Sequence, residues 1–336
     1  MLLGAFFFGC STATPLESAT IQTERGNYQA GVMELEWSDQ ARERAVKVAL
    51  WYPTDESSEK IKYMAFSGYA KKNARLSKGR FPLILVSHGT GGHRYNQFYL
   101  SEYLASFGYI VAAIEHPHNN AFENKDQGTV ANLWHRPRDI SFVLDQLLID
   151  AGISSYIEQE QIGFIGHSIG GYTGFTISGA IPDFQRLIDY CQHHPEDRLM
   201  CEQAQFEQAL EKNYSFDFST LHDRRIKALF VMAPALGQAF APRDMAKVDI
   251  PVLLIASGQD EVLTKPYNIK RYLTALPGDV QTVEFPNAGH YVYLHECPFL
   301  VNILAGAACK DIGTPRSEIH PELKTLSLEF FGKQLH

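Results

Sequence analysis

QIGFIGHSIGG, residues Gln161–Gly171, reads as a short apolar strand, Ile162 to Ile165, running into a tight turn and then a helix rich in small residues. Ser168 stands at the tip of that turn, framed by Gly166 and Gly170 in a G-x-S-x-G pattern. A serine presented on a sharp strand-to-helix turn takes a strained backbone conformation. Side chains two residues to either side would collide there, and glycine avoids the collision. Gly171 and Gly174 then allow the following helix to lie close to the sheet. The competing reading is a glycine-rich β–α turn with an incidental serine, so the rest of the chain has to decide.

Working outward, Phe81–Ser87 is a continuous apolar run, as expected of a strand buried on both faces, and it ends in HGTGG, His88 to Gly92. Tyr95–Phe107 has helical spacing. Tyr109–Ile114 is a further buried strand that opens into EHPHNN, and Arg138–Asp150 is an amphipathic helix. Beyond the serine turn, strands are expected at Ile226–Met232, Val252–Ala256 and Val280–Phe285, with a helix at Asn268–Leu276. Strands alternating with helices predict an α/β fold with a mostly parallel central sheet and helices on both faces. Val46–Tyr52 reads as an early strand, Asp55–Arg80 as a long exposed loop with an apolar patch at Phe66–Tyr69, and the tail from Ser317 as one helical face docking on the sheet. The alternation breaks at Pro182–His222, a polar, helix-leaning insertion placed where a lid would sit. The expected organisation is a signal-like segment and tether over 1–25, the tether reaching Gly31, and one domain over 26–336 carrying the insertion at 182–222.

A net charge of -8 and the lack of a Lys/Arg stripe argue against nucleic-acid binding. No apolar run approaches the roughly 18 residues of a membrane-spanning helix. The opening MLLGAFFFGC, followed by the polar STATPLESAT, is similar to the end of a bacterial lipoprotein signal, although no basic residue precedes it and the run is short. That reading implies export, with a lipidated Cys10 attaching the chain to a periplasmic or outer-membrane surface. A frayed apolar N-terminus on a cytoplasmic protein is the alternative. Of the 5 cysteines, Cys10 aside, Cys191/Cys201 and Cys297/Cys309 form two local pairs that suit disulfides in an oxidising compartment. Spacing leaves free thiols and the other two pairings open, and it matches no zinc site.

An activated serine needs a base, and the base needs an orienting acid. Val252–Ala256 is followed by SGQDEV, which puts Asp260 just beyond the strand's C-terminal end, and Val280–Phe285 is followed by PNAGHYVY, which puts His290 in the matching position. Both therefore fall at the sheet edge that presents Ser168. Glu261 competes with Asp260, and Asp260 is preferred because it comes first in the turn. The oxyanion of an acyl-transfer intermediate needs two N–H donors. The Ile169 amide, directly after the nucleophile, is one. The Thr90 amide in HGTGG is the other, with Gly91 as its competitor.

With VALWYP, SHGTGG, EHPHNN, WHRPRDISFVLDQL, GHSIGG and the Asp260 and His290 turns assembled, the chain resembles the α/β-hydrolase superfamily. Within it, the similarity is to the platelet-activating-factor acetylhydrolase-like and "predicted dienelactone hydrolase" group, from about Gly26 to the last helix. True dienelactone hydrolases use a cysteine nucleophile where this chain has Ser168, so that name does not indicate the substrate. The resemblance implies a Ser168–His290–Asp260 acyl-enzyme mechanism with no metal or organic cofactor. It implies a small-molecule or lipid ester of short or medium acyl chain as substrate, phospholipid esters among them. A polyester or lipid-aggregate hydrolase, and a silent ligand-binding protein on the same fold, are the alternatives. His116 and His118 are candidates to line the pocket, and Trp134, His135 and Arg136 to shape its mouth, with ion pairing the preferred role for Arg136 and Arg138.

Overall fold

Apolar runs that alternate between two faces build the centre of the molecule. The computed structural model describes residues 25–201, 216–265, 267–278, 280–298, 301 and 306–336. Among these, β1 (Gln29–Asp39), β2 (Arg44–Thr54), β3 (Glu59–Tyr63), β4 (Phe66–Lys72), β5 (Phe81–Ser87), β6 (Ile110–Glu115), β7 (Ile157–His167), β8 (Ile226–Met232), β9 (Val252–Ser257) and β10 (Gln281–Phe285) form one sheet. Its order is β10-β9-β8-β7-β5-β6-β2-β1-β4-β3. The six strands from β10 to β6 run parallel, β2 joins β6 antiparallel, and β1 joins β2 antiparallel. This is the mostly parallel sheet expected from the alternation.

The sheet separates two cores. In β5, Leu83 and Leu85 point to one face and Ile84 and Val86 to the other, following the two-residue period of a strand. On the first face lie α2 (Val130–Ile149), α3 (Ile169–Ile177), α4 (Phe184–His193) and α6 (Ile269–Ala275), with the short α5 (Arg198–Cys201) after α4. On the second lie α1 (Phe98–Ser106) and α7 (Arg316–Gln334), whose Ile319, Leu323, Leu326 and Phe330 form the expected docking face. The chain leaves β5 for β6 on one side and returns to β7 on the other. The C-terminal ends of β5 and β7 therefore flank a topological switch point, where open α/β sheets form their ligand crevice.

Three expectations need correction. Residues 55–80 are not an exposed loop: they contain the β3–β4 hairpin, which adds to the outer edge of the sheet through β1. Its Phe66 is buried with its ring 3.6 Å from that of His295, so local polarity concealed a tertiary contact. The tether does not reach Gly31, because β1 begins at Gln29, with alternating polar residues facing solvent over its second half. Finally, α2 begins at Val130 rather than Arg138 and runs through Pro137. The proline forfeits one backbone hydrogen bond, but Leu133, Arg136, Pro137 and Ile140 are all buried, and that packing outweighs the loss. Within the insertion, α4 and α5 are helical as expected, and residues 202–215 lie outside the described residues, as do 1–24 with the signal-like segment and Cys10.

The disulfides join Cys191 to Cys201 and Cys297 to Cys309, the pairing by proximity that the sequence favoured. Disulfides are characteristic of oxidising compartments. No helix among the described residues is long and apolar enough to cross a membrane.

Several histidines serve as neutral core residues. His93 and His295 stack with ring centroids 5.5 Å apart, and His320 stacks on Tyr99 while donating Nε2–H to the Val292 carbonyl at 2.9 Å. Burial lowers the pKa of His93, His116 and His320 to about 3 and that of His295 to about 4. An unfolded histidine titrates near ~6.5, so below that pH the unfolded chain binds protons the fold excludes. Each of the four groups then costs up to about 1.4 kcal/mol of stability per pH unit. Glu102, pushed up to about 7 by burial, works the other way but is a single group. Urea midpoints are therefore expected to fall steeply as pH drops from about 6.5 towards 4, and a flat profile over that window would contradict this.

Candidate active site

The turn after β7 is shaped by how closely it approaches the end of β5. Ser168 has φ 56° and ψ -121°, a strained conformation for a residue with a side chain. It is held there by its own N–H donating to the Met232 carbonyl at 3.0 Å and by its carbonyl accepting from Gly171 and Ala235. A Cβ on Gly170 would come 2.0 Å from the Ser87 carbonyl oxygen, and one on Gly166 would come 2.4 Å from the Gly170 carbonyl oxygen. Neither position has room for any residue but glycine.

The turns after β9 and β10 are joined to one another. Gly258 N–H donates to the Phe285 carbonyl and Gln259 N–H to the Ala288 carbonyl. The Ser257 hydroxyl donates to the Gly289 carbonyl at 2.9 Å. On this frame His290 Nδ1 donates to Asp260 Oδ2 at 2.9 Å, with both side chains buried. The other carboxylate oxygen, Asp260 Oδ1, accepts from the Val262 and Leu263 amides, so the acid is fixed in orientation. Glu261, the competing acid, does a different job: its Oε2 accepts the backbone N–H of His290 at 2.8 Å.

Ser168, His290, Thr90 and Ile169 border one cavity of about 500 Å³, together with Glu261, Asn96 and His167. Its apolar wall comes from Leu133, Met200, Leu236, Val262, Leu263 and Leu294. Gly89 lies close enough that a Cβ on it would sit 3.3 Å from Ser168 Cβ, so the HGTGG loop runs directly beside the serine. The Ile169 amide opens α3 and so has no carbonyl four residues back to bond. Such an amide is available to a developing oxyanion. Each disulfide is close in sequence to a lining residue: Met200 precedes Cys201, and Ala307 lies within the loop closed by Cys297–Cys309.

Other expected residues lie elsewhere. His116 does not line the cavity: it is fully buried, with Nδ1 donating to Asp139 at 3.1 Å and Nε2 accepting from the Ser87 hydroxyl at 2.9 Å. His118 turns outward and pairs with Glu123 at 2.8 Å. On α2 it is Asn132 and Leu133, just before the expected Trp134–Arg136, that reach the cavity. Trp134 lies beneath the Arg138 guanidinium at 4.0 Å instead. Arg136 bonds neutral oxygens rather than a carboxylate. The sequence reading also missed His167, which lines the cavity, lies 4.8 Å from the His290 ring and donates Nε2–H to the His290 carbonyl at 3.1 Å. Burial, aided by neighbouring His290, holds its pKa well below the usual imidazole range. Its place next to Ser168 was the one available signal.

The fold is that of an α/β-hydrolase. Its sheet and helices overlay a ferulic acid esterase from Streptomyces cinnamoneus with TM-score 0.63 and 20% sequence identity, over 95% of this chain and 94% of that one. The profile of the family described as "Platelet-activating factor acetylhydrolase, isoform II" matches residues 62–130. A platelet-activating factor acetylhydrolase from Bos taurus is 30% identical over 30% of this chain and 33% of its own length. Cutinase est1 from Thermobifida alba is 28% identical over 33% of this chain and 35% of its own. The matched stretch thus spans about a third of the length of these curated relatives. The chain is thus similar over part of its length to platelet-activating factor acetylhydrolases and cutinases, and its fold is shared with the esterase.

The two carboxylates at the histidine turn should be separable. Asp260→Asn removes the acceptor for imidazole Nδ1–H and is expected to slow fluorophosphonate labelling of Ser168 by about 10³-fold or more. Glu261→Gln keeps an oxygen for the His290 amide and should cost less than about tenfold. Equal losses from the two would mean that the acid has been misassigned.

Proposed function

We propose that the chain is a serine carboxylic-ester hydrolase, with Ser168 as nucleophile, His290 as general base and Asp260 as its orienting acid. The observation that carries the reading is one cavity bordered by a strained serine, by a histidine bonded to a buried aspartate at 2.9 Å, and by two segments able to give amide donors. In this reading neutral His290 takes the Ser168 proton as the hydroxyl attacks the ester carbonyl. The amides of Ile169 and Thr90 receive the oxyanion. His290 then protonates the leaving alcohol, and water repeats the cycle on the acyl-enzyme.

The aliphatic part of the cavity lining supports short or medium acyl chains, and among the described residues Glu261 is the only Asp, Glu, Lys or Arg that lines it, which disfavours carboxylate-bearing esters. The acetylhydrolase relatives make phospholipid acyl esters reasonable members of the substrate set. Ser168→Ala is expected to lower kcat on 4-nitrophenyl acetate by about 10⁴-fold or more, and kcat/KM across C2 to C12 esters should peak at short or medium length. Unchanged activity in the alanine variant would end this reading.

A polyester or lipid-aggregate hydrolase remains the second reading. It is supported by the cutinase relatives and by Phe122, 65% exposed on the loop that also sends Asn124 and Gln127 to the cavity rim. Activity rising at an emulsion or film surface, and weakened by Phe122→Ser, would favour it. The two disulfides suit an exported protein, and attachment through a lipidated Cys10 is part of the proposal. Mass spectrometry of the mature N-terminus tests it, and an unmodified Cys10 behind an intact Met1 would exclude it.

A further inference from the structure

Arg136 is fully buried in α2, yet all four of its side-chain hydrogen bonds go to neutral oxygens. Nη2 donates to the His88 carbonyl and to the Ser87 hydroxyl at 3.1 Å. Nη1 donates to Asn119 Oδ1 at 2.7 Å, on the loop after β6. Nε donates to Thr173 Oγ1 at 3.2 Å, and that hydroxyl in turn donates to the Ile169 carbonyl at 2.9 Å. The nearest carboxylate along the helix, Asp139, is already engaged by Arg42, Arg44 and His116.

Burying a guanidinium without a paired carboxylate is costly, and burial lowers its pKa to about 9. A residue needed only for packing would not require that charge. What the fork reaches is specific. His88 opens the HGTGG loop that carries Thr90, and Thr173 lies one turn below Ile169 in α3. The two backbone donors proposed for the oxyanion belong to separate strand–loop units, and one planar group with five N–H donors touches both. We propose that Arg136 is the positioning residue that sets the spacing of the Thr90 and Ile169 amides, and that its fixed positive charge lies behind the site where negative charge develops in the transition state.

This rests on the serine-hydrolase reading and goes beyond it, because preorganised donors act on the transition state more than on the bound ester. Arg136→Met is therefore expected to lower kcat by about 10²-fold with KM within about threefold. The rate of fluorophosphonate labelling of Ser168 should fall in parallel. Arg136→Lys, which keeps the charge but loses the fork, should recover about a tenth of the wild-type kcat or less. Thr173→Val cuts only the limb to α3, and it guards against failure of the methionine variant to fold. It should lower kcat by about three- to tenfold, again with little change in KM. Folded variants with wild-type kcat, or a loss carried wholly by KM, would overturn the inference. Activity surviving in Ser168→Ala would instead remove the reading beneath it, so the two failures are distinguishable.

Discussion

The structure depends on one close approach, the backbone of residue 170 against the Ser87 carbonyl, where even a methyl group would come within 2.0 Å. That contact presses the turn after β7 onto the end of β5. It gives Ser168 its strained conformation, sets the start of α3, and leaves the loop at His88–Gly92 alongside. Strain of this kind persists only where its surroundings over-determine it. Here the surroundings are strands buried on both faces and an elbow bonded to Met232 and Ala235. The rest of the site is arranged around that fixed point.

The central strands and the serine turn were legible because both are local signals. A continuous apolar run bounded by turn residues is a buried parallel strand almost wherever it occurs, and glycines flanking a serine record a steric requirement. Asp260 and His290 were legible for the same reason: each follows its strand at the same edge. What escaped the sequence was tertiary. The β3–β4 hairpin mixes apolar residues with many polar ones, and it takes tertiary contacts, such as those with His295 and Trp51, to show that Phe66 and Tyr63 belong to the core. The first two turns of α2 were lost to Pro137, whose penalty is local while the burial that offsets it is not. His116 reads as a candidate for the pocket lining and Arg136 as a mouth or ion-pairing residue, since nothing in one dimension reveals a network spanning β5, β6, α2 and α3.

That network explains an apparent extravagance. Ser87, His88, His116, Asn119, Arg136, Asp139 and Thr173 form a polar seam at the end of the sheet where apolar packing would be simpler. Partly satisfied, such a seam would be a liability; well satisfied, it fixes geometry more sharply than packing does. The stacked histidines on the opposite face serve a similar end. His320 holds the Val292 carbonyl, and Arg316 holds that of His295, so α7 braces the segment that carries His290.

The brace has a temporal side. The serine turn, its neighbouring strands and the HGTGG loop are all encoded before the His290 turn, and α7 follows that turn. The Ser168 elbow can therefore take shape before the His290 turn exists, and that turn gains its bonds to Asp260 and Glu261 before α7 is there to brace it. Arg316 and His320 add the later contacts, to the carbonyls of His295 and Val292. Where the bracing helix lies in the chain thus sets the order in which the two sides of the cavity can be completed.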